Sequence, residues 1–321
     1  MRFFITGIGG FAGVYLAEHL LAAGHEVTGS VTGRPDRPRL AALAKRQSRF
    51  DPAALAVASL DDAPALARAL AAAAPDGIFH LAGIAFAPRA EADPAGAFAV
   101  NALGTLRLLD AAAARAPRAR LLVVTSSDVY GATDPGPIDE DRPLRPVGVY
   151  GLSKVAADLA AFRHWWATGQ DVVRARAFNH TGPGQSPDFV CSDFARQIAR
   201  IAAGAAEPVL HVGNLEVERD FSDVRDVVRG YALLWERGEP GAVYNLCSGV
   251  ATRVAEVVDL LVAESGARVG VVADPDRHRG REIPTIVGTA ARAHALGWTP
   301  RIPLKETLKD LHTYWRDTPA A

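Results

Sequence analysis

The chain has 321 residues, 49% of them hydrophobic and 22% charged, which provides for a sizeable core and predicts about two domains. With 35 basic and 36 acidic residues, the formal charge is -1, so the sequence lacks the bulk positive charge that nucleic-acid binding requires. Its two cysteines, Cys191 and Cys247, exclude a disulfide framework and a four-thiolate metal site.

The N-terminus is a short apolar run that Gly7 interrupts, and it lacks the features of a signal peptide. No apolar stretch is long enough to predict a membrane span. No Cys/His spacing indicates a metal site. The sequence therefore predicts a soluble cytoplasmic protein with no membrane partner, no nucleic-acid partner and no metal.

The first half of the chain alternates short β-branched or apolar runs with longer Ala- and Leu-rich helical patterns. The strand-like runs are residues 2–6, 26–31, 77–81, 121–126 and 172–177. The helical patterns are residues 11–23, 63–73, 94–114 and 150–168. This alternation is typical of stacked βαβ units. It predicts an α/β fold of the Rossmann type, in which helices cover both faces of a doubly wound parallel sheet.

The alternation becomes irregular after about residue 178. Loop-forming clusters occur at residues 181–187 and 274–284, and shorter helical patterns at 192–203, 223–236, 253–264 and 304–315. We expect a smaller C-terminal α/β domain whose segments interleave with the first domain. The expected division assigns residues 1–178 and 223–248 to the dinucleotide-binding domain, and residues 179–222 and 249–321 to the second domain.

The segment that joins the first strand to the first helix is rich in glycine. Gly7, Gly10 and Gly13 recur at intervals of three residues. Early glycines in such a turn let the backbone approach a pyrophosphate, and the last one lets helix and strand pack closely. The helix N-terminus then offers unpaired N–H groups to the phosphates. The strand before the motif and the helix after it favour a dinucleotide site over a simple tight turn.

The end of the second strand determines which dinucleotide binds. An acidic residue there would accept hydrogen bonds from the ribose 2′-OH of NAD. Residues 27–34 contain no carboxylate, whereas Arg34, followed by Arg37, offers a guanidinium to the 2′-phosphate of NADP. The alternative for Arg34 is an exposed loop charge. We expect NADP(H) as the preferred cofactor, with NAD(H) still open.

Tyr150 and Lys154 begin a helical pattern and lie four residues apart, on one face of the helix. A neighbouring ammonium is expected to lower the pKa of the phenol from its ordinary value of about 10. Ser126 ends a strand-like run at the carboxyl edge of the sheet, where open α/β folds bind ligands. Alone, a Tyr–Lys pair is usually a packed ring beside a solvated charge. Three observations favour a catalytic role: the glycine motif at residues 6–13, the serine at a strand end, and the fact that Lys154 is one of only four lysines among 35 basic residues. We therefore expect Ser126, Tyr150 and Lys154 to be catalytic.

Further motifs extend over nearly the whole chain. They are TGIGGFAG at 6–13, HLAG at 80–83, NALGT at 101–105, SSDVYG at 126–131, YGLSK at 150–154 and GWTP at 297–300. With them the sequence resembles the extended short-chain dehydrogenase/reductase family, also called the NAD-dependent epimerase/dehydratase family. The C-terminal half is most similar to the branch that acts on GDP-sugars, through residues 176–185, 189–197, 213–221 and 274–279.

The resemblance implies which residues bind the cofactor. They are Gly7, Gly10, Phe11, Gly13, Thr32, Arg34, Ser59, Leu60, Leu81, Ala82, Gly83, Asn101, Tyr150, Lys154, Phe178 and His180. Phe178 and His180 would border the nicotinamide, and Lys154 would hold its ribose. Ser59 is a departure, because the family has an acidic residue on the adenine side at this position.

The resemblance also implies a GDP-sugar substrate. The substrate-binding residues would be Ser126, Asp128, Asn179, Val190, Arg219, Arg279 and Glu282. Asn179 and the two arginines would bind the diphosphate, a task suited to the always-charged guanidinium. Glu282 would lie near the nucleoside ribose, and residues 189–192 along the guanine. For Arg219 the alternative is a surface charge. The last motif departs from the family because Gly280 replaces its usual proline.

The implied activity is NADPH-dependent reduction of the C4 ketone of a GDP-4-keto-6-deoxyhexose. A GDP-mannose 4,6-dehydratase is the main alternative, but its carboxylate base is a Glu where this chain has the shorter Asp128. A nucleotide-sugar 4-epimerase uses the same three catalytic residues, and a regulatory protein without turnover is disfavoured by their presence. Family members commonly dimerise through two helices, here residues 94–114 and 150–168, so we expect a homodimer.

Overall fold

The computed structural model of the chain describes residues 1–33, 38–277 and 282–318. Its strands are β1 (Arg2–Thr6), β2 (Glu26–Val31), β3 (Ala56–Val57), β4 (Gly77–His80), β5 (Arg120–Ser126), β6 (Val172–Ala177), β7 (Asn179–Thr181), β8 (Val209–Val212), β9 (Glu218–Asp223), β10 (Val243–Leu246), β11 (Ala251–Arg253), β12 (Gly270–Ala273) and β13 (Thr285–Ile286). Its helices are α1 (Phe11–Ala22), α2 (Pro38–Arg46), α3 (Ala63–Ala73), α4 (Ala87–Ala92), α5 (Pro94–Phe98), α6 (Gly104–Arg115), α7 (Val149–Thr168), α8 (Val190–Ala202), α9 (Val224–Arg237), α10 (Val254–Ser265), α11 (Ala291–Ala295) and α12 (Leu304–Asp317).

The largest sheet has seven strands in the order β10-β6-β5-β4-β1-β2-β3. Every neighbouring pair in it is parallel. The chain moves outward from β1 in one direction through β2 and β3, and in the other through β4, β5, β6 and β10. The predicted Rossmann-type α/β fold is therefore confirmed. A ligand cleft is expected at the carboxyl ends of the strands, beside the point where the strand order reverses.

Both faces of this sheet are apolar and covered by helices. Phe3 and Ile5 of β1 belong to the cluster that packs against α1 and α9, whereas Phe4 between them belongs to the cluster that packs against α3 and α6. Alternate residues of a strand point to opposite faces. This explains why the strand reads as a continuous apolar run in the sequence.

The C-terminal half adds two small sheets and a third apolar cluster. One sheet contains β11, β9 and β13, with β7 also paired to β9, and the other contains β8 and β12. The cluster is built from α8, α10 and α12, with Ile198, Leu261 and Leu308 almost fully buried. Strands β7, β11 and β13 have only two or three residues, too few for an alternation pattern to predict them.

The helix predicted at residues 94–114 is α5 and α6 joined by a π-helical segment at Ala99–Leu103. As one helix, Pro94–Arg115, it has 22 residues and a mean hydropathy of 1.2, so it does have the length and composition of a membrane span. The sequence prediction that no apolar stretch is long enough to span a membrane is therefore wrong. Half of its apolar window is buried, and Leu108 and Leu109 pack in a core cluster, as in a core helix of a globular protein.

Candidate active site

A cleft of about 1010 Å³ lies at the carboxyl ends of the parallel strands, between the large sheet and the C-terminal elements. It brings together most of the residues that the sequence singled out. The predicted site residues that line it are Gly7, Gly10, Phe11, Gly13, Leu81, Gly83, Ser126, Tyr150, Lys154, Phe178, Asn179, His180, Val190, Arg219 and Glu282.

Other predicted site residues are not among the residues that line this cleft. They are Thr32, Ser59, Leu60, Ala82, Asn101 and Asp128. Arg34, its neighbour Arg37, and Arg279 lie outside the described residues. The cleft thus contains the predicted pyrophosphate, nicotinamide and substrate positions, whereas the predicted adenine side lies outside its lining.

The glycine motif forms a cradle without side chains at the start of α1. Gly7 has a φ of +71°, and a Cβ there would lie 2.9 Å from the Cα of Ala82. A Cβ on Gly13 would collide with the carbonyl oxygen of Gly7. Gly10 precedes the helix, and no side chain caps the helix N-terminus at this point. The cradle therefore has the room, the free N–H groups and the positive dipole end that fit a pyrophosphate.

Two aromatic rings pack beside the cradle. Phe11 stacks on His180 with ring centroids 6.1 Å apart and an interplanar angle of 6°. His180 Nδ1 lies 3.1 Å from the carbonyl oxygen of Phe178, so the ring nitrogen donates to this carbonyl. Burial lowers the pKa of His180. The rings join the first turn of α1 to the strand that carries the predicted substrate residues.

Ser126, Tyr150 and Lys154 meet at the centre of the cleft. Ser126 ends β5, and a hydrogen bond joins its hydroxyl to that of Tyr150 in the first turn of α7. Lys154 follows one turn later, is 8% exposed, and directs its Nζ toward the carbonyl oxygen of Val124 at 3.5 Å. Ser126 and Lys154 are buried and Tyr150 is partly buried, and all three line the part of the cleft where an oxygen atom can be bound and protonated.

The pKa of Tyr150 moves opposite to the expectation from the sequence. Burial raises it, the negative charge of Asp128 raises it further, and the hydrogen bond from Ser126 only partly opposes these effects. Burial also lowers the pKa of Lys154 to about 8. The expectation of a lowered value was wrong because it counted the nearby ammonium and not the cost of burying a phenolate. Tyr150 is protonated at neutral pH and is therefore a proton donor.

Asn101 links the loop after β4 to α7 through hydrogen bonds. Its Nδ2 donates to the Oγ of Ser153 at 2.9 Å, and its Oδ1 accepts from the N–H of Ile84 at 2.8 Å. A Cβ on Gly83 would lie 2.8 Å from that Oδ1 and 3.2 Å from the Nζ of Lys154. Asn101 thus ties the loop after β4 to the helix of Lys154, and glycine is required at position 83 for the close approach.

The second wall of the cleft carries the polar residues of the C-terminal half. Asn179 is exposed in the cleft at the start of β7. Arg219 on β9 donates from NH1 to the carbonyl oxygens of Glu218 at 2.7 Å and Ile283 at 3.0 Å, which fixes its guanidinium at the cleft edge.

Glu282 and Val190 complete the predicted substrate residues of this wall. The Oε2 of Glu282 accepts from the Nδ2 of Asn214 at 2.8 Å, and both residues line the cleft. Val190 is the first residue of α8. The structure therefore brings an arginine, a carboxylate and two amides to the same end of the cleft.

Phe86 and two contacts between cleft residues were not predicted from the sequence. Arg277 forms an ion pair with Asp193 of α8 at 2.5 Å, and Phe86 meets Phe189 with ring centroids 5.8 Å apart. Arg277 lies in the 274–279 motif, where its charge was a usable signal. Phe189 and Asp193 lie in the 189–197 motif, and residues 189–192 were expected along the guanine. Their pairing with Phe86 and Arg277 had no signal in the sequence, because these partners come together only through the fold.

A Rossmann sheet whose glycine cradle opens onto a Ser–Tyr–Lys group is the architecture of nicotinamide-dependent oxidoreductases of the short-chain dehydrogenase/reductase class. This is the class that the fold and the site define.

Comparison with known proteins identifies the family within this class. The sequence matches the GDP-mannose 4,6-dehydratase family over residues 4–311, and the chain belongs to this family. It is 38% identical to the GDP-6-deoxy-D-mannose reductase of Pseudomonas aeruginosa over 98% of this chain and 97% of that protein.

Solved structures of nicotinamide-dependent sugar-nucleotide enzymes have the same fold. The structure of RMD from Pseudomonas aeruginosa complexed with NADPH superposes with a TM-score of 0.85 and 34% identity, covering 98% of this chain and 99% of that chain. The dTDP-glucose 4,6-dehydratase from Streptomyces venezuelae with NAD bound has a TM-score of 0.85 and 27% identity, covering 99% and 97%. The chain is therefore a nicotinamide-dependent oxidoreductase.

Proposed function

We propose that the protein reduces the C4 ketone of a GDP-4-keto-6-deoxyhexose with NADPH, as in the conversion of GDP-4-keto-6-deoxy-D-mannose to GDP-D-rhamnose. The 38% identity to a GDP-6-deoxy-D-mannose reductase, over nearly the full length of both chains, carries this choice. The protonated state of Tyr150 agrees with it, because a ketone reduction needs a proton donor beside the developing alkoxide.

Several residues would hold the cofactor. The cradle of Gly7, Gly10 and Gly13 would bind the pyrophosphate, and Lys154 would bind the nicotinamide ribose. When bound, the reduced nicotinamide supplies the hydride that the ketone carbon accepts. We infer a preference for NADP(H) over NAD(H), because β2 ends without a carboxylate and because RMD, a similar structure, is complexed with NADPH.

The Ser–Tyr–Lys group then performs the proton chemistry. Ser126 donates a hydrogen bond to the carbonyl oxygen, and Tyr150 donates its proton to the same oxygen as negative charge develops there. The tyrosine is left as a phenolate, which the Lys154 ammonium stabilises until a proton returns from solvent. General acid catalysis of this kind contributes about 10²- to 10⁴-fold.

The second wall would bind the nucleotide part of the substrate. Arg219 and Asn179 offer donors to the diphosphate. Arg277 lines the same wall, where its guanidinium is paired with Asp193 and Asp274. Glu282 would accept hydrogen bonds from the nucleoside ribose. The predicted contribution of Arg279 lies outside the described residues.

Dehydration of a GDP-hexose is the second candidate, because the matching family is named for it. That reaction also needs a carboxylate base at the substrate. Asp128 raises the pKa of Tyr150 but is not among the described residues that line the cleft, so it supports the proton-donor role rather than a base at the substrate. A 4-epimerase would use the same Ser–Tyr–Lys group and is distinguished by its product.

The assay that tests the proposal combines the enzyme with GDP-4-keto-6-deoxy-D-mannose and NADPH. Stoichiometric loss of NADPH absorbance and formation of a GDP-6-deoxyhexose support reduction. Turnover of GDP-mannose without added reduced cofactor would instead assign a dehydratase, and interconversion of C4 epimers without net oxidation would assign an epimerase.

We further propose that the protein is a cytoplasmic homodimer formed through the helical segments at residues 94–114 and 150–168. Both segments expose apolar side chains. Leu103, just before α6, and Leu106, within α6, are exposed in the first segment, and Leu159, Phe162 and Trp166 are exposed on α7. Trp166 is 75% exposed, which is unusual for a large aromatic ring on a monomer. Sedimentation of a single monomeric species at micromolar concentration would contradict this proposal.

We also propose the division into a dinucleotide domain, residues 1–178 and 223–248, and a nucleotide-sugar domain, residues 179–222 and 249–321. Strand β10 pairs with β6 in the large sheet, while β11 pairs with β9 in a small one, which supports a crossing near residue 248.

A further inference from the structure

The helix that carries Tyr150 is capped by a side chain from another helix. The first N–H groups of any helix lack partners within it and are usually satisfied by a capping side chain. At the start of α7 the capping position is Gly148, which has no side chain, and the first turn contains no acidic residue. Instead, the N–H of Val149 donates to the Oε1 of Glu91 at 2.7 Å. Tyr150 is the next residue.

Glycine at position 148 allows this contact. A Cβ there would lie 2.8 Å from the Oε1 of Glu91, closer than such atoms approach in folded proteins. The carboxylate also places negative charge at the positive end of the α7 dipole. Glu91 therefore fixes the first turn of α7 by both hydrogen bonding and charge.

The helix that carries Glu91 reaches the cleft at its other end. Phe86 immediately precedes α4, lines the cleft, and meets Phe189 at an interplanar angle of 66°. Phe189 immediately precedes α8 on the second wall. Helix α4 also packs against α7. It thus spans the distance from the substrate wall to the first turn of the catalytic helix.

We propose that Glu91 is a positioning residue for Tyr150. Glu91 holds the first turn of α7 so that the phenol of Tyr150 reaches Ser126. Through α4 it also couples the position of Tyr150 to the contact between Phe86 and Phe189. The kinetic part of the test rests on the proposed function, whereas the amide-exchange part does not.

The test compares Glu91→Ala with Glu91→Gln, which keeps an oxygen that can accept from Val149. We expect Glu91→Ala to lower kcat about 3- to 10-fold, because a lost helix cap costs on the order of 1 kcal/mol and a tenfold change in rate corresponds to about 1.4 kcal/mol. The KM for NADPH should change less than about twofold, because the cradle of α1 is untouched. Glu91→Gln should retain most of the activity.

Amide hydrogen exchange supplies a readout that needs no substrate. In Glu91→Ala the peptide containing residues 149–154 should exchange faster than in the wild type, while peptides from the large sheet should not change. Asp62→Ala is the matched control, because Asp62 caps α3 through the N–H of Ala65 at 2.9 Å, away from Tyr150. It should leave both kcat and exchange at residues 149–154 unchanged.

Wild-type kcat and wild-type exchange in Glu91→Ala would overturn the proposal. Equal loss of activity in Glu91→Ala and Asp62→Ala would also overturn it, since the effect would then be general destabilisation. Faster exchange at residues 149–154 in an enzyme that does not reduce the 4-keto sugar would leave the positioning role intact and remove the proposed substrate.

Discussion

Asp128 lies close enough to Tyr150 for its negative charge to raise the pKa of the phenol, in the same direction as burial. It follows Ser126 by two residues, and its N–H donates to the Oγ of that serine at 3.2 Å. The carboxylate therefore stabilises the protonated form of the tyrosine. A protonated phenol serves the reductive direction, in which the enzyme gives a proton to the substrate oxygen.

Replacing Asp128 tests this electrostatic effect. The Asp128→Asn substitution removes the charge and should lower the pKa of Tyr150. Because Lys154 loses its proton first, with a pKa of about 8, the alkaline limb of an activity profile does not report on the phenol. The measurement is therefore the ultraviolet titration of the Tyr150 phenolate, taken as the difference between each protein and the same protein with Tyr150→Phe. A phenolate that forms in Asp128→Asn at the same pH as in the wild type, or at a higher pH, would contradict this role of Asp128.

Removal of the phenolic hydroxyl tests the proton donor itself. Tyr150→Phe should lower kcat by about 10²-fold or more, the usual contribution of general acid catalysis. The affinity for NADPH, measured by titration, should remain within a few-fold of wild type because the cradle is unchanged. Tyr314→Phe on α12 is the control and should keep full activity. Wild-type turnover by Tyr150→Phe would eliminate the assignment.

A buried ionic group supports the catalytic helix one turn beyond Lys154. Asp158 is fully buried and accepts from Arg174 at 2.6 Å and from Arg176 at 3.0 and 3.1 Å. Although burial opposes it, Arg176 and Arg174 together hold the pKa of Asp158 below its usual value. The group ties α7 to β6.

Breaking this group should be costly. Asp158→Ala leaves two buried guanidinium groups without their partner, and the free energy of unfolding should fall by about 3–5 kcal/mol. Asp310→Ala is the control, because its pair with Arg225 at 2.8 Å is partly exposed and should contribute at most about 1 kcal/mol. Urea denaturation measures both. Equal losses in the two variants would contradict the importance of burial.

His80 makes the stability of the fold depend on pH. It is almost fully buried, with Nδ1 at 2.7 Å from the hydroxyl of Thr6 and Nε2 at 2.9 Å from that of Thr105. Thr105 donates its own proton to the carbonyl oxygen of Asn101 at 2.6 Å, so its hydroxyl accepts from Nε2–H. Burial, with a smaller contribution from Lys154, lowers the pKa of His80 to about 3.

The direction of the effect follows from this lowered pKa. The unfolded chain binds a proton at His80 below its ordinary pKa of about 6.5, whereas the folded chain does not. The contribution of neutral His80 to the free energy of unfolding is fully present above about pH 6.5. It falls by about 1.4 kcal/mol per pH unit as the pH decreases from there toward 3. His80→Gln should lose stability less steeply than the wild type between about pH 7 and pH 5. Identical slopes in urea denaturation would contradict this account.

The regular part of the fold was predictable because its signals are local. The apolar run of β1, the glycines that follow it and the helix that begins at Phe11 lie in one continuous segment, and Tyr150 and Lys154 share a helix face through their spacing alone. The seven-stranded sheet follows from the repetition of such segments.

The remaining features depend on contacts between distant residues. Glu91 and Val149 are 58 residues apart, and Asp193 and Arg277 are 84 apart, so no sequence pattern joins them. The pKa of Tyr150 depends on burial and on Asp128, neither of which spacing can measure. The two-residue strand β3 is formed by its pairing with β2 rather than by its own propensity.

Transfer of an isotopic label distinguishes reduction at C4 from dehydration and epimerisation. The enzyme is mixed with GDP-4-keto-6-deoxy-D-mannose and with NADPH deuterated at the transferable position, and the product is analysed by mass spectrometry and NMR. A reductase yields a GDP-6-deoxyhexose with one deuterium at C4, in proportion to the NADPH consumed. A product without deuterium at C4, or turnover without consumption of NADPH, would contradict the proposed reduction.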